Sequence, residues 1–192
     1  MRVSRQQAAA NREQILDEAA KLFRERGFGG IGVADLMKSV GLTHGGFYGH
    51  FDSKEDLMAQ ACRRAVSEML EKWKALAEAE TPNAASQVAA RYLSTKHRDG
   101  PGAGCLIAML GSEIARQAAP VRDAVTESMN ETLDTLARLM PGKSVTTRRK
   151  KAIVMFASMT GALIMARAVN DPKLSGEILQ VMSGSISATG NG

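Results

Sequence analysis

The sequence predicts an all-α protein with a small N-terminal three-helix head and a larger helical body. Apolar residues recur at three- and four-residue spacing along nearly all of the 192 residues. Alternating runs of the kind that mark strands are absent from the sequence. The periodic segments are separated by Gly, Pro and Ser/Thr positions of the kind that stop and cap helices.

The first helix is expected over residues 11–26, with Ile15, Leu16, Ala19, Leu22 and Phe23 on its buried stripe. Gly27 stops it, and the loop FGGIG leads on. Val33, Leu36, Met37 and Val40 then share one face of a second helix. Gly41-Leu42-Thr43 breaks that helix: the glycine suits a left-handed C-cap, Leu42 plugs the gap, and Thr43 is placed to cap the next helix. Phe47 and Phe51 stand four apart and point into one core, which turns Tyr48 and His50 outward. Ser53 is the expected N-cap of a long connector helix, with Glu55 and Asp56 in its first turn. Residues 33–57 thus read as a helix-turn-helix, whose second helix enters the DNA major groove.

These residues resemble the N-terminal domain of the TetR family of transcriptional regulators. The matching pattern is the first-helix stripe with Gly27, then Asp35-Leu36, Val40-Gly41-Leu42, Phe47-Tyr48-x-His50-Phe51 and Ser53-Lys54-Glu55-x-Leu57. It covers the first third of the chain without a gap. The resemblance implies a head over residues 1–52, comprising an N-terminal arm and the helix-turn-helix, and a ligand-binding and dimerisation body over residues 53–192. One position departs from the family: Gly32 stands where Ser or Thr usually caps the second helix and touches a phosphate.

In the body, Leu57, Ala61, Ala65, Met69, Trp73 and Leu76 carry the connector helix to Thr81-Pro82. Further helices are expected over residues 84–97, 105–117, 120–140 and 152–169, the last preceded by the basic run Arg148-Arg149-Lys150-Lys151. Asp99-Gly-Pro-Gly-Ala-Gly104 is the clearest loop, and Pro120 fits a first helical turn. A short final helix begins near Ser175 and Glu177, and a frayed tail is expected after Ser183. Residues 159–179 also resemble, more loosely, the last two helices of TetR-type bodies, which form the dimer contact.

The net charge of +5 and pI near 9.4 suit a polyanionic partner. Arg2, Arg5 and Arg12 precede the first acid, Glu13, and read as a basic arm, disordered when free and ordered along DNA. No apolar signal segment opens the chain, and the longest uncharged run, residues 152–166, is shorter than the roughly 17 residues of a spanning helix. With only Cys62 and Cys105 there is no disulfide framework, so a reducing cytoplasm and no membrane are expected.

For DNA, Tyr48 and Lys54 are the candidate phosphate contacts, and Thr43 and His44, with Lys38, the candidate base readers. Gly45, Gly46 and Gly49 each weaken that helix by about 1 kcal/mol, so the two phenylalanines must hold it, and the glycines let backbone approach base edges. His50 is expected to face the DNA backbone. Literal glycine-rich matches in residues 27–32 and 100–104 follow helices rather than strands and carry no dinucleotide expectation. No nucleophile-elbow or zinc motif is present, so no enzyme, metal or cofactor is expected.

The resemblance further implies a small, largely apolar inducer between body helices. Tyr92, Cys105, Met109, Glu113, Met129 and Met159 are candidate pocket residues, with Arg116 and Asn130 as further polar groups. Cys105, at a helix start, is read as a small buried residue ahead of a thiol sensor with a depressed pKa. Ala157, Gly161, Ile164 and Ala168 are the expected homodimer contact. The function expected is a ligand-released repressor of a two-fold operator; the alternative is a DNA-binding dimer regulated by a protein partner or constitutive.

Overall fold

The computed structural model describes residues 4–79 and 83–189, so Arg2 and the Thr81-Pro82 stop lie outside the described residues. All regular structure among these residues is helical: α1 (Arg5–Arg26), α2 (Val33–Ser39), a 3-10 turn (His44–Gly49), α3 (Lys54–Glu78), α4 (Ala84–Tyr92), α5 (Thr95–Asp99), a 3-10 turn (Pro101–Ala103), α6 (Leu106–Ile114), α7 (Ala119–Leu139), α8 (Val145–Ala168) and α9 (Pro172–Thr189).

Several boundaries differ from the sequence expectation, each for a local reason. The helix expected from residue 11 begins at Arg5, because Ser4 caps it by accepting from Gln7 N at 3.1 Å. Arg5 and Arg12 therefore belong to a helix and not to a loose arm. The helix expected over residues 84–97 is two helices, since Ser94 accepts from His97 N and starts α5 afresh. The basic run 148–151 lies inside α8, which starts at Val145 behind a Ser144 cap. The last helix begins at Pro172, where Asp171 accepts from Lys173 N, and it runs to Thr189 rather than fraying after Ser183. Ser175 lies inside it, its hydroxyl donating to Ala166 O and accepting from Arg98.

Turn chemistry was legible. Gly41 takes φ +73, and the bonds Leu42 N to Met37 O and Gly41 N to Lys38 O close the end of α2 as a Schellman motif. Ser53 accepts from Asp56 N at 3.0 Å, and Pro120 sits in the first turn of α7.

One continuous core runs from head to body. α1 packs on α3 in the head, α3 lies along α7, and α8 packs against α7 and α9. Ion pairs lace the outer edge of the α3–α7 seam, with Arg63 on Glu127 at 2.9 Å and Lys74 on Glu131 at 2.8 Å. α8 is long and apolar enough to cross a membrane by length and composition alone; Ala152, Met155, Phe156, Met159 and Leu163 on it are buried in the core.

Candidate nucleic-acid interface

The head presents its second short helix as a 3-10 turn, with Gly46 N bonded to Thr43 O and His50 N to Phe47 O. Three glycines in six residues explain the form: propensity alone does not sustain an α-helix here. What fixes it is the buried Phe47, stacked on the buried Phe51 with ring centroids 5.6 Å apart. Arg12 closes that cluster from α1, its guanidinium 5.1 Å from the Phe51 ring centre.

Phe47 inward means Tyr48 outward, 68% exposed. Thr43, His44, Gly45 and Lys38 are exposed beside it, and the His44 and Tyr48 rings meet edge to face. Thr43 occupies the cap position but makes no side-chain cap bond. His50 is half-buried at the end of the turn. A Cβ on Gly45 or Gly49 would meet nothing within 4 Å, and neither has a positive φ. The fold itself thus makes no demand for glycine at either position.

Lys54 is placed differently from a free surface lysine. Its Nζ donates to Phe28 O at 2.9 Å and Ile31 O at 3.3 Å, tying the start of α3 to the α1–α2 loop. One of its three donors remains for an anion. At Gly32, which caps α2 without a side-chain bond, the open first turn leaves backbone N–H groups on the surface side.

The candidate pocket residues do not form one pocket: Cys105 lines one hollow with Met129 and another with Tyr92, while Met109, Glu113 and Met159 line neither. Tyr92 is buried, and its hydroxyl lies 3.1 Å from Thr160 Oγ1. Met159 is core, Arg167 contacts the Met109 sulfur, Asn130 bonds Arg149 on the surface, and Arg116 is exposed. Glu113 serves a purpose that spacing did not reveal: it accepts from Phe28 N in the head at 2.9 Å. The enclosed space by Cys105, Met129 and Phe156 is ≈ 10 Å³, room for about one water. A larger cleft, ≈ 390 Å³ and open to solvent, lies over Trp73, Tyr92 and the loop leading to Cys105.

Cys105 is fully buried, and burial raises its thiol pKa against the opposing pull of the helix start. Cys62 is pushed up to about 12 for the same reason. Sequence reasoning missed the polar clamp on the loop before Cys105. Arg167 donates to His97 O and Arg98 O, and His97 Nε2 accepts from Cys105 N at 2.8 Å. Among the described residues there is no group of acidic, His and Cys side chains that would hold a metal.

A phenylalanine-anchored recognition turn behind a glycine C-cap, carrying exposed Tyr48 and His44, defines a helix-turn-helix head of the kind that docks on duplex DNA. Residues 15–61 match the family described as bacterial regulatory proteins, tetR family; over that head the chain is similar to the TetR family. It is 35% identical over 66 residues to the HTH-type transcriptional repressor KstR2 of Rhodococcus jostii, covering 34% of this chain and 32% of that one. With the HTH-type transcriptional repressor NemR of Escherichia coli it shares 25% identity over 132 residues, 67% of this chain and 66% of the relative. The matches to these curated relatives thus span from about a third to just under two thirds of their length.

The whole fold is shared more widely than the sequence. The crystal structure of reduced E. coli NemR superposes with a TM-score of 0.79 at 21% identity, covering 94% of this chain and 97% of that one. A TetR-family regulator from Agrobacterium tumefaciens gives 0.76 at 22% identity, covering 93% and 98%.

Proposed function

We propose that the protein is a homodimeric, cytoplasmic DNA-binding transcriptional regulator, a repressor that a small molecule releases from a two-fold operator. The observation that carries this reading is the recognition turn: exposed Thr43, His44 and Tyr48, with Gly45 and Gly49 opening onto empty space, on a scaffold fixed by buried Phe47 and Phe51. Tyr48 and the free donor of Lys54 contact phosphate; Thr43, His44 and Lys38 read base edges; His50 lies toward the backbone.

Dimerisation is supported by a stripe that the single chain leaves open. Ala157, Ile164 and Ala168 are exposed, Gly161 is half-buried, and Ile153 (45%), Val154 (66%) and Met165 (50%) extend the same side of α8. Leu174 and Val181 on α9 are exposed apolar side chains as well. A two-fold contact through α8 and α9 would cover them and pair the two heads.

Ligand response is supported by the continuity of α6 and its preceding loop with the head, through Glu113 to Phe28 N and through Arg24 to Gly104 O. The enclosed space beside Cys105 and Met129 holds about one water, and this favours a second reading in which a protein partner, or nothing, regulates the dimer. Selection of an operator from random DNA, followed by release with small molecules, tests the proposal and separates the two readings.

A further inference from the structure

The open cleft between α3, α4 and residues 94–105 has a composition unlike the largely apolar pocket that the sequence led us to expect. Its floor is aromatic: Trp73 and Tyr92 lie 6.4 Å apart, and His97 meets the Tyr92 ring edge to face at 4.6 Å. Its rim carries Lys72, Arg91 and Lys96, all exposed. Among the described residues, none of these three side chains makes an ion pair or a side-chain hydrogen bond. The one carboxylate of the lining, Glu68, lies 3.5 Å from Arg24 and is directed to it. Among the described residues these cations have no carboxylate partner, and they stand over the Trp73 and Tyr92 rings, which are tilted 50° to one another.

We propose that this cleft binds a planar aromatic carboxylate, the ring lying on Trp73 and Tyr92 and the carboxylate meeting the Lys72, Arg91 and Lys96 rim. The proposal rests on the reading of the protein as a ligand-responsive regulator and names its ligand class. At ≈ 390 Å³ the cleft falls within the roughly 300–1,000 Å³ of small-molecule sites. Contact with the Trp73 indole and the Tyr92 phenol favours an aromatic over an aliphatic acid. The cations distinguish the acid from its amide.

The position of the cleft supplies a route to the head. One wall is Gly100, Ala103, Gly104 and Cys105, and Gly104 O accepts from the buried Arg24 of α1 at 3.4 Å. The Arg24 bonds to Ala65 O, Gly104 O and Glu68 all lie at 3.4–3.5 Å, and its Nε has no partner among the described residues. A guanidinium held this loosely shifts when that wall moves, and α1 moves with it.

Trp73 is the single tryptophan of the chain and lines this cleft, so tryptophan fluorescence reports on it. The full-length protein without DNA is titrated with cinnamate, cinnamamide, acetate and inorganic phosphate. We expect a saturable Trp73 response to cinnamate, about tenfold weaker binding of cinnamamide, and no response to acetate or phosphate. Lys72→Gln/Lys96→Gln, at two exposed positions, should weaken cinnamate about tenfold with an unchanged helical spectrum. Lys150→Gln/Lys151→Gln, on α8, should leave it unchanged. No response to millimolar cinnamate, equal binding of cinnamamide, or equal binding of acetate or phosphate overturns the proposal. Operator release is measured separately: binding without release upholds the site and overturns the regulatory reading. Release from Lys72→Gln/Lys96→Gln at the same cinnamate concentration as from wild type overturns the site.

Discussion

The Glu113 carboxylate of α6 accepts a hydrogen bond from the backbone N–H of Phe28 at 2.9 Å, so a body side chain fixes the loop between the first two helices of the head. Phe28 is itself buried, with its ring edge-to-face on Phe23 at 5.2 Å. The neighbouring Gly27 takes φ +78, and a Cβ there would lie 2.7 Å from Glu113 Oε1. Both the positive φ and the close carboxylate require glycine.

Glu113→Ala should therefore destabilise the protein by about 1–3 kcal/mol, because the Phe28 donor loses its charged acceptor. Glu113→Gln, which keeps an acceptor, should cost less. Gly27→Ala should destabilise by about 1–3 kcal/mol, through backbone strain and crowding of the Glu113 carboxylate. Denaturant midpoints of the three variants check this; a Glu113→Ala variant as stable as wild type would show that the contact is not made.

The loop before Cys105 should respond to pH through His97. Its Nε2 accepts from Cys105 N at 2.8 Å, so the proton sits on Nδ1, which donates to Tyr92 O at 2.6 Å. Burial first, then the Arg167 charge, lowers the His97 pKa below 6.5, against the pull of the Tyr92 carbonyl. The native state therefore binds fewer protons than the unfolded chain, and stability rises with pH in this window. It is complete above the ordinary histidine value of 6.5 and is lost as pH falls from there through the depressed value. The denaturant midpoint followed from neutral to mildly acidic pH should fall less steeply in His97→Gln than in wild type. An equal slope would remove His97 from the account.

Gly161 offers a clean test of assembly, since a Cβ built there meets nothing within 4 Å in the single chain. Gly161→Leu should leave the monomer fold intact, yet yield monomers or abolish operator binding. Val154→Glu, at an exposed apolar position, should act the same way. Sedimentation and operator binding read both. A dimeric variant with full binding would place the two-fold contact elsewhere.

Neither thiol is poised to react near neutral pH, because burial raises both. Alkylating agents should label Cys62 and Cys105 slowly in the folded protein, and Cys105→Ser should keep operator binding. Fast labelling of Cys105 that disappears in Cys105→Ser would make it a sensor instead.

The head was legible in the sequence because local chemistry determines it. The glycine C-cap, the Ser53 cap and the Phe47/Phe51 pair each act within a few residues of one another. The regularity of the recognition turn was misjudged only in pitch, since Gly45, Gly46 and Gly49 settle for 3-10 bonds. In the body, stripes gave helices but not partners. Ser94 and Asp171 restart helices through single cap bonds that periodicity averages away. Glu113 and Arg24 reach the groups they bond across 85 and 80 residues of chain, and nothing in the spacing marks either for that partner. The methionines read as a possible pocket are largely core or surface packing, and the aromatic cleft combines residues from three segments.

The central claim is that two heads of this fold read a symmetric DNA site through the turn at residues 43–50, and selection from random duplex DNA tests it most directly. The expected result is enrichment of an inverted repeat whose half-sites lie about 34–36 Å apart, or a multiple of that spacing. Binding should weaken uniformly across sequences, with a shallower salt slope, in Lys54→Ala, and uniformly as well in Tyr48→Phe. Base preference should relax in His44→Ala at its own positions in each half-site. Selection that enriches no inverted repeat, or an enriched site bound equally well and with equal specificity by His44→Ala and Tyr48→Phe proteins, would contradict the claim.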